Sequence, residues 1–341
     1  MKSGGKKAFY IVFGAAVIVL ALALVAYRVF NNETVKQFTA MDTLIGVSIT
    51  GRESAEAAGE IENLINTLDR DVYSRHSPSS AVSAINRDGS GKLPEECAGV
   101  LELMLSVARK SGGAFDFTLG GVSDLWGFGT DKEHIPVKSV IDEALESSGY
   151  EKVKIDGSAV TIPDGMVLDM GAVGKGAALD EIRGELGKYS VRRAVISLGG
   201  SILLYGNGEF RVGIQTPGSA GGEYFALLTL PETNVSTSGS YERYFEKDGV
   251  RYHHILDPET GYPAESGLVS VTVISDSGVL SDALSTACFV LGEEKGMELC
   301  KEFGCEAVFL NKNNRVNVTA GIADKIKVTD ENYSFDDYSL R

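Results

Sequence analysis

Apolar residues divide the chain into a continuous apolar segment near the amino terminus and a long body of mixed pattern. Residues 8–27 carry no charge over 20 positions, which is long enough to cross a bilayer as a helix. Three lysines precede this segment and Arg28 follows it, so we expect a cytoplasmic amino terminus and an extracytoplasmic body. The pattern predicts a single-pass signal anchor over residues 1–30, placed in the cell membrane.

A cleaved signal peptide is the alternative for this segment, because alanines at positions 21, 23 and 26 offer small residues near its end. The apolar run is longer than the usual central region of a signal peptide, which favours the uncleaved anchor.

The body of the chain follows a short polar stretch at residues 31–37, which we interpret as a linker. Apolar residues recur at helical spacing in some segments of the body and at strand spacing in others. The predicted helices are 55–68, 79–85, 95–110, 137–147, 279–291 and 294–303. The predicted strands are 38–49, 152–155, 160–162, 194–197, 202–205, 210–214, 224–230, 251–255 and 269–274, with further strands up to residue 328.

Runs of strands separated from runs of helices are typical of the α+β class, and we expect mixed or antiparallel sheets with flanking helices. No break in composition divides residues 38–335, so we interpret them as one catalytic module with two lobes.

Composition excludes some classes of function. The net charge of −15 argues against a surface that binds nucleic acid, where a basic patch is expected. The four cysteines, at 97, 288, 300 and 305, lack the close pairing of a zinc motif. We expect buried thiols, and a disulfide between Cys300 and Cys305 is the alternative, because sequence alone does not fix connectivity.

Two distant segments have the residues of a shared polar site. The first is Leu-Asp-Met-Gly-Ala-Val-Gly-Lys-Gly at 168–176, followed by a helical run at 177–186. The second contains Asp282 and Thr286, which are spaced i and i+4 and therefore share one face of a helix. A carboxylate and a hydroxyl are hard oxygen ligands suited to magnesium. The glycine-rich turn leaves backbone groups open to a phosphate, with the charge of Lys175 nearby.

Each of these residues also has a structural interpretation. Asp282 could cap or solvate its helix and have no other role. However, it stands among apolar residues, where an unpaired charge is costly, so a bound metal explains its position better. Lys175 could be an ordinary surface lysine. Residues 112–118 begin with two glycines that stop a helix, and alternatively Phe115 could cover an aromatic ring while Asp116 reads its polar edge. Trp126 is expected in the core.

His254 is the strongest candidate for a general base, because imidazole titrates near neutrality. An ordinary imidazole pKa of about 6 to 7 predicts a rate that falls below that pH. His253 and His254 are adjacent on a predicted strand, so their side chains point to opposite faces and only one enters a site.

The ordered set of motifs resembles the ApbE family of FAD:protein FMN transferases. The resemblance covers nearly the whole body and rests on motifs that follow the family's order. They are Met-Asp-Thr at 41–43, Asn86, Gly-Ala-Phe-Asp at 113–116, residues 169–176, Leu-Gly-Gly at 198–200, Thr-Ser-Gly at 237–239, His-Ile-Leu-Asp-Pro-Glu-Thr-Gly at 254–261, and Asp-Ala-Leu-Ser-Thr-Ala at 282–287.

The resemblance implies a set of functional residues. Asp282, Thr286 and the carbonyl of Ala172 would bind Mg²⁺, and His254 would be the base that activates the acceptor hydroxyl. The implied FAD contacts are Met41, His76, Ala114, Phe115, Asp116, Asp169, Lys175 and Ile255. His76 stands where many members have a tyrosine beside the flavin, which leaves the balance between transfer and hydrolysis open.

The implied reaction moves the FMN half of FAD onto a threonine or serine hydroxyl of another protein and releases AMP. The implied partners are acceptor flavoprotein subunits of membrane electron-transfer complexes. Two alternatives remain open from sequence: an FAD pyrophosphatase that uses water as the nucleophile, and a non-catalytic extracytoplasmic protein that binds flavin.

Overall fold

A large mixed sheet forms the centre of the protein in a computed structural model, which describes residues 31–219 and 222–336. All neighbouring strands of this sheet are antiparallel except the last pair, which is parallel. In spatial order its nine strands are β1 (Glu33–Ala40), β2 (Thr43–Gly51), β6 (Val191–Leu198), β7 (Ser201–Gly206), β10 (Thr233–Gly239), β13 (Leu268–Ser275), β14 (Glu306–Asn311), β15 (Arg315–Val318) and β17 (Ser334–Asp336).

Three small sheets surround the central one. They are β3 (Ser90–Lys92) with β5 (Ala159–Thr161) and β4 (Lys154–Asp156), then β8 (Phe210–Gln215) with β9 (Tyr224–Leu230) and β16 (Ile326–Val328), and the hairpin β11 (Tyr244–Lys247) with β12 (Val250–His253). The α-helices are α1 (Ser54–Thr67), α2 (Ala81–Asp88), α3 (Ala98–Lys110), α4 (Gly120–Trp126), α5 (Lys138–Ser147), α6 (Gly174–Leu186), α7 (Gly278–Leu291) and α8 (Glu293–Phe303). The predicted α+β class is confirmed.

The central sheet has a hydrophobic core on each face. Successive residues of a strand point to opposite faces, and accordingly Leu203 packs in the core beneath the helices while Leu204 packs in the core beneath β8, β9 and β16. The helices that hold the polar motifs, α6 and α7, lie on the first of these faces. The site is therefore built between helices and one face of a rigid sheet.

The beginning of the body differs from the prediction. Residues 33–37, interpreted as a linker, belong to strand β1, and the single strand predicted at 38–49 is a hairpin of β1 and β2. Met41 and Asp42 form its turn with φ of 50° and 54°, left-handed conformations that non-glycine residues adopt rarely. The prediction was wrong because β1 is an edge strand with alternating polar residues, so it lacks an apolar run.

Helices α6 and α7 meet backbone to backbone near their amino-terminal ends. A Cβ placed on Gly176 would lie 2.0 Å from the carbonyl oxygen of Gly278, so only glycine fits at this crossing. Helix α6 begins at Gly174, three residues before the helical run predicted at 177–186. Lys175 is consequently in the first turn of a helix.

A third, smaller core surrounds Trp126, which is fully buried as expected. Its indole N–H donates to the carbonyl of Gly261 at 2.9 Å. Phe245 and Tyr252 of the β11–β12 hairpin pack against the indole ring. This core supports the hairpin, and the strand β12 ends immediately before His254.

The predicted anchor at residues 8–27 lies outside the described residues. Within residues 31–219 and 222–336, no helix has the length and apolar character needed to span a membrane. All four cysteines are described; all are buried, and none forms a disulfide bond with another described residue. The alternative disulfide between Cys300 and Cys305 is absent, and the Sγ atom of Cys300 lies 3.5 Å from that of Cys288 instead.

Candidate active site

Asp282 is the charged residue at the centre of the site. It lies in α7 with only 5% of its surface exposed. One carboxylate oxygen accepts from the backbone N–H of Gly176 at 2.7 Å, and the other accepts from the Ser201 hydroxyl at 2.6 Å. Among the described residues no lysine, arginine or histidine forms an ion pair with it. A carboxylate has about four lone-pair positions, so acceptor capacity for a cation remains.

A second aspartate forms the reverse connection between the same helices. Asp180 of α6 accepts from the first backbone N–H groups of α7, those of Gly278 at 2.6 Å and Val279 at 3.2 Å, and from the Ser277 hydroxyl at 3.0 Å. Asp282 of α7 does the same for Gly176 in the first turn of α6. The first N–H groups of a helix have no partner within the helix, so each helix here caps the other.

Thr286 lies one turn beyond Asp282 on α7, as the i and i+4 spacing predicts. Its hydroxyl is 3.2 Å from that of Ser238 on β10, which also bonds Ser285 at 2.8 Å. The single turn of 3₁₀ helix at Met170–Ala172 contacts α7, which brings the Ala172 backbone to this helix. The three residues expected to bind the metal therefore belong to two adjoining elements.

These donors fit magnesium. A carboxylate, a hydroxyl and a carbonyl are all hard oxygen ligands, and Mg²⁺ is usually held by one or two carboxylates together with waters and substrate phosphates. Within residues 31–219 and 222–336 no group of three or more histidine, cysteine, aspartate or glutamate side chains is placed to hold a metal ion. A metal held here would consequently keep coordination positions for phosphate and water.

The turn before α6 is held by its own side chains. Asp169 accepts from the backbone N–H of Gly171 at 2.8 Å and forms an ion pair with Arg75 at 3.3 Å. Arg75 also pairs with Asp124. Lys175 donates to the carbonyl of Gly171 at 3.2 Å, so its ammonium group lies over the turn. A positive charge is thus fixed at the amino-terminal end of α6, where the helix dipole also favours an anion.

The loop at Ala114–Asp116 lies beside this turn, because Asp169 donates its backbone N–H to the carbonyl of Phe117 at 2.7 Å. Phe115 is only 1% exposed and its ring packs near that of Phe117. The Phe115 side chain is part of the core, and its backbone N–H donates to the Ser111 hydroxyl at 3.2 Å. A role for Phe115 in covering a flavin ring stays a prediction.

Asp116 forms hydrogen bonds around its own loop that the sequence did not predict. Its carboxylate accepts from the backbone N–H of Thr118 at 2.8 Å, from the Thr118 hydroxyl at 2.6 Å and from the backbone N–H of Tyr150 at 3.1 Å. Burial raises its pKa above the ordinary value, and these hydrogen bonds oppose that shift. Asp116 therefore shapes the loop, and contact of its carboxylate with the polar edge of a ring stays a prediction.

The remaining residues expected to contact FAD lie on separate elements. Met41 is half-buried in the β1–β2 turn, where its backbone N–H donates to Asp69 at 2.9 Å. His76 is exposed after a short π-helix, Leu68–Tyr73. Ala114 is half-buried, and Ile255 is buried directly after the candidate base.

His254 is held by its neighbour across the hairpin. Its backbone N–H donates to the carbonyl of Arg243 at 3.0 Å, and its ring Nδ1 is 3.3 Å from the same oxygen. A carbonyl only accepts, so Nδ1 bears the proton in this contact and Nε2 is left as the basic nitrogen. The structure thus presents the tautomer that a general base requires.

The pKa of His254 differs from the expected 6 to 7. Burial and, after it, the positive charges of Arg243 and Lys175 together lower this pKa to about 3, although the residue keeps some contact with solvent. With this pKa, protonation of His254 in the free protein would not lower the rate near pH 6 to 7, so the predicted pH dependence would need another cause. The imidazole is neutral, and able to accept a proton, throughout the physiological range.

His253 points away from its neighbour, as predicted for adjacent residues of a strand. Its ring packs edge-on against Phe289 at 5.4 Å between centroids, and burial lowers its pKa to about 4. It is part of the packing around α7, which leaves His254 as the histidine that faces Arg243.

Three residues of the site were missed in the sequence: Asp180, Ser201 and Arg243. Asp180 lies within a predicted helical run, and Ser201 directly follows the Leu-Gly-Gly motif at 198–200; neither position indicates a contact with the site. Their roles depend on which strands and helices become neighbours. The position of Arg243 was predictable from the sequence. The Asp-Gly pair at 248–249 is typical of a hairpin turn, and a hairpin centred on this pair places Arg243 opposite His254.

Comparison with known proteins relates this chain to one family. A family model described as the ApbE family matches residues 41–309. The FAD:protein FMN transferase of Treponema pallidum is 35% identical over 331 residues, which cover 88% of this chain and 91% of that protein. The protein of the same name from Salmonella typhimurium is 34% identical over 288 residues, covering 79% and 81%.

Solved structures show the same relationship. The crystal structure of the ApbE protein of Thermotoga maritima superimposes with a TM-score of 0.75 at 30% identity, covering 82% of this chain and 95% of that one. The flavinyl transferase ApbE of Pseudomonas stutzeri gives a TM-score of 0.70 at 29% identity, covering 82% and 92%. The family match over most of the chain, the identity to full-length relatives and the shared fold agree: the chain belongs to the ApbE family.

Proposed function

We propose that this protein transfers the FMN half of FAD to a threonine or serine hydroxyl of another protein in a Mg²⁺-dependent reaction that releases AMP. The observation that carries the proposal is the buried Asp282 carboxylate, which has two protein hydrogen bonds and no cationic partner among the described residues. A buried charge without a counter-ion is costly, and a bound metal removes that cost.

The general activity follows from family membership. The chain is a FAD:protein FMN transferase, since full-length curated relatives bear that name at 30% identity or more. FAD is accordingly its substrate. The metal, the acceptor and the roles of individual residues are the finer parts of the proposal.

Asp282, Thr286 and the Ala172 carbonyl would hold the magnesium ion. The bound ion would supply positive charge beside the pyrophosphate of FAD and so favour departure of AMP. Ser201 and the Gly176 N–H orient the carboxylate, the kind of support that keeps a ligand at its productive angle. Lys175 adds a second positive charge at the amino-terminal end of α6.

His254 would accept the proton of the acceptor hydroxyl on Nε2. The hydroxyl oxygen forms a bond to the FMN phosphorus while the bond between that phosphorus and the bridging oxygen breaks, and AMP leaves with the bridging oxygen. The contact with the Arg243 carbonyl keeps the imidazole in the required tautomer during this step. A base positioned in this way usually contributes a factor of about 10² to 10⁴.

The test mixes the purified protein with FAD, Mg²⁺ and an acceptor domain of a flavoprotein. Covalent FMN on the acceptor, detected by mass spectrometry with stoichiometric AMP, is the expected result. Free FMN with AMP and no labelled acceptor would identify an FAD pyrophosphatase. Unchanged FAD would identify a protein that only binds flavin, and either result would overturn the proposal.

We also propose that residues 8–27 anchor the protein in the cell membrane and place the catalytic body outside the cytoplasm. The uncharged segment and the lysines before it support this orientation. Acceptors would then be subunits of membrane electron-transfer complexes exposed on the same side. Fractionation of cells that produce the full-length protein should recover it with membranes after alkaline carbonate washing, and recovery in the soluble cytoplasmic fraction would reject the anchor.

A further inference from the structure

Arg243 lies directly opposite the base in the hairpin that leads to it. The backbone N–H of His254 donates to the Arg243 carbonyl at 3.0 Å, which extends the register of β11 and β12 by one pair. Side chains of directly opposed residues in an antiparallel pair project from the same face of the sheet. The guanidinium group and the imidazole therefore share one face.

The guanidinium group of Arg243 reaches the turn between β1 and β2. Its Nη2 donates to the carbonyl of Asp42 at 3.2 Å, next to Met41. No carboxylate forms an ion pair with Arg243 within the described part of the chain. A guanidinium group has five N–H donors, so most of its hydrogen-bonding capacity is open to a ligand.

Arg243 and Lys175 both lie close enough to His254 to influence its charge. Burial lowers the pKa of His254 and raises that of Glu242. The positive charges of Arg243 and Lys175 add to the shift of His254 and oppose that of Glu242. The two cations come from different elements, one from the base of the hairpin and one from the first turn of α6. Two positive charges near a neutral imidazole favour the binding of an anion there.

We propose that Arg243 binds the phosphoryl group that is transferred. This inference rests on the proposed function, because a hydroxyl activated by His254 must attack a phosphorus close to that imidazole. Arg243 is a cation on the same sheet face as the base. The paired N–H donors of its planar guanidinium group can bind two oxygens of one phosphate. Arg243 stabilises the charge on the FMN phosphate, while Lys175 lies over the turn before α6.

The first experiment measures binding without turnover. Dissociation constants for FMN and riboflavin, which differ by the phosphate, are compared in wild type, Arg243→Ala and Arg243→Lys by flavin fluorescence. Arg243→Ala should weaken FMN binding by about ten- to a hundredfold, the usual effect of losing a charge-assisted hydrogen bond, and leave riboflavin binding unchanged. Equal weakening of both ligands, or of neither, would overturn the proposal.

Arg243→Lys separates phosphate binding from the contact with Asp42. A lysine can still donate to a carbonyl, so a purely structural role predicts binding of FMN like that of wild type. Loss of the planar guanidinium group predicts an FMN affinity between those of the wild type and Arg243→Ala, and this variant also serves if Arg243→Ala does not fold. Arg251→Ala is the matched control, because Arg251 is an exposed arginine of the same hairpin paired with Glu246 and should behave as wild type.

The second experiment measures transfer. Arg243→Ala should lower the rate of acceptor labelling by about 10² to 10³, as expected for loss of one donor to a charged transition state. Millimolar guanidinium should restore the rate at least tenfold, whereas absence of rescue would contradict contact with the phosphoryl group. If wild type itself does not label the acceptor, the proposed function fails, while the FMN and riboflavin comparison still decides the role of Arg243.

Discussion

The carboxylate of Asp282 accepts a hydrogen bond of 2.7 Å from the backbone N–H of Gly176, which is 106 positions earlier in the chain. This contact joins the helix that would hold the metal to the helix whose first turn would face the phosphates. It requires the close crossing of α6 and α7, because a Cβ at Gly176 would strike the backbone of Gly278. The proposed metal ligand and the turn proposed to face the phosphates are therefore positioned by one junction between α6 and α7.

Replacement of Asp282 by alanine should abolish transfer, because the site loses its charged ligand. Thr286→Ala removes a neutral ligand and should retain weaker activity that recovers at higher Mg²⁺. The measurement is acceptor labelling as a function of Mg²⁺ concentration. Full activity of Asp282→Ala, or of wild type in excess chelator, would show that the metal site is assigned wrongly.

Replacement of His254 by alanine should separate binding from chemistry. FAD affinity should stay close to that of wild type, while transfer falls by about two to four orders of magnitude. Because the pKa of this histidine lies at about 3, its protonation should leave the wild-type rate unchanged between pH 5 and 8. An inflection near pH 6.5 that vanishes in His254→Ala would show that the free imidazole has an ordinary pKa.

Replacement of Gly176 by alanine should damage both the fold and the site, since the added methyl would overlap the Gly278 carbonyl. Overpacking of this kind costs about 1–3 kcal/mol or more, and the Asp282 contact would be displaced with it. Gly184→Ala in the same helix is the matched control, because nothing lies within 4 Å of that position. That control should be neutral or about 0.5–1 kcal/mol more stable. Chemical denaturation of both variants gives the comparison, and equal stability would contradict the backbone contact.

The two adjacent histidines should make the fold sensitive to acid. Burial lowers the pKa of His253 to about 4 and that of His254 to about 3, whereas both titrate near 6.5 in the unfolded chain. The unfolded state therefore binds protons first as pH falls. Their contribution to stability is complete above pH 6.5. It is lost progressively down to about pH 4 for His253 and about pH 3 for His254, by about 1.4 kcal/mol per pH unit for each residue.

Denaturation with urea at pH 7.5, 6 and 5 measures this dependence. His253→Gln should be less stable than wild type at pH 7.5, where burial of the neutral imidazole is favourable, yet should lose less stability on acidification. A wild-type pH dependence that this substitution leaves unaltered would place the acid-sensitive group elsewhere.

The sequence predicted local features better than contacts between distant elements. The i and i+4 spacing of Asp282 and Thr286 and the burial of Trp126 follow from local periodicity, so they were predictable. The burial of Phe115, the loop bonds of Asp116 and the cap by Asp180 depend on which elements become neighbours, and no local pattern carries that information. The strand at Glu33–Ala40 was missed because its alternating polar residues suit an exposed edge.

The mutual caps of α6 and α7 also bear on the order of events in folding. The backbone N–H of Gly278 donates to Asp180, and the backbone N–H of Gly176 donates to Asp282. If only one of the two helices docks, these backbone donors stay unpaired and a carboxylate is buried without its partner. Both helices are expected to dock in one cooperative step. A partly folded chain would then lack the arrangement of Asp282 and the first turn of α6 on which the proposed metal site depends.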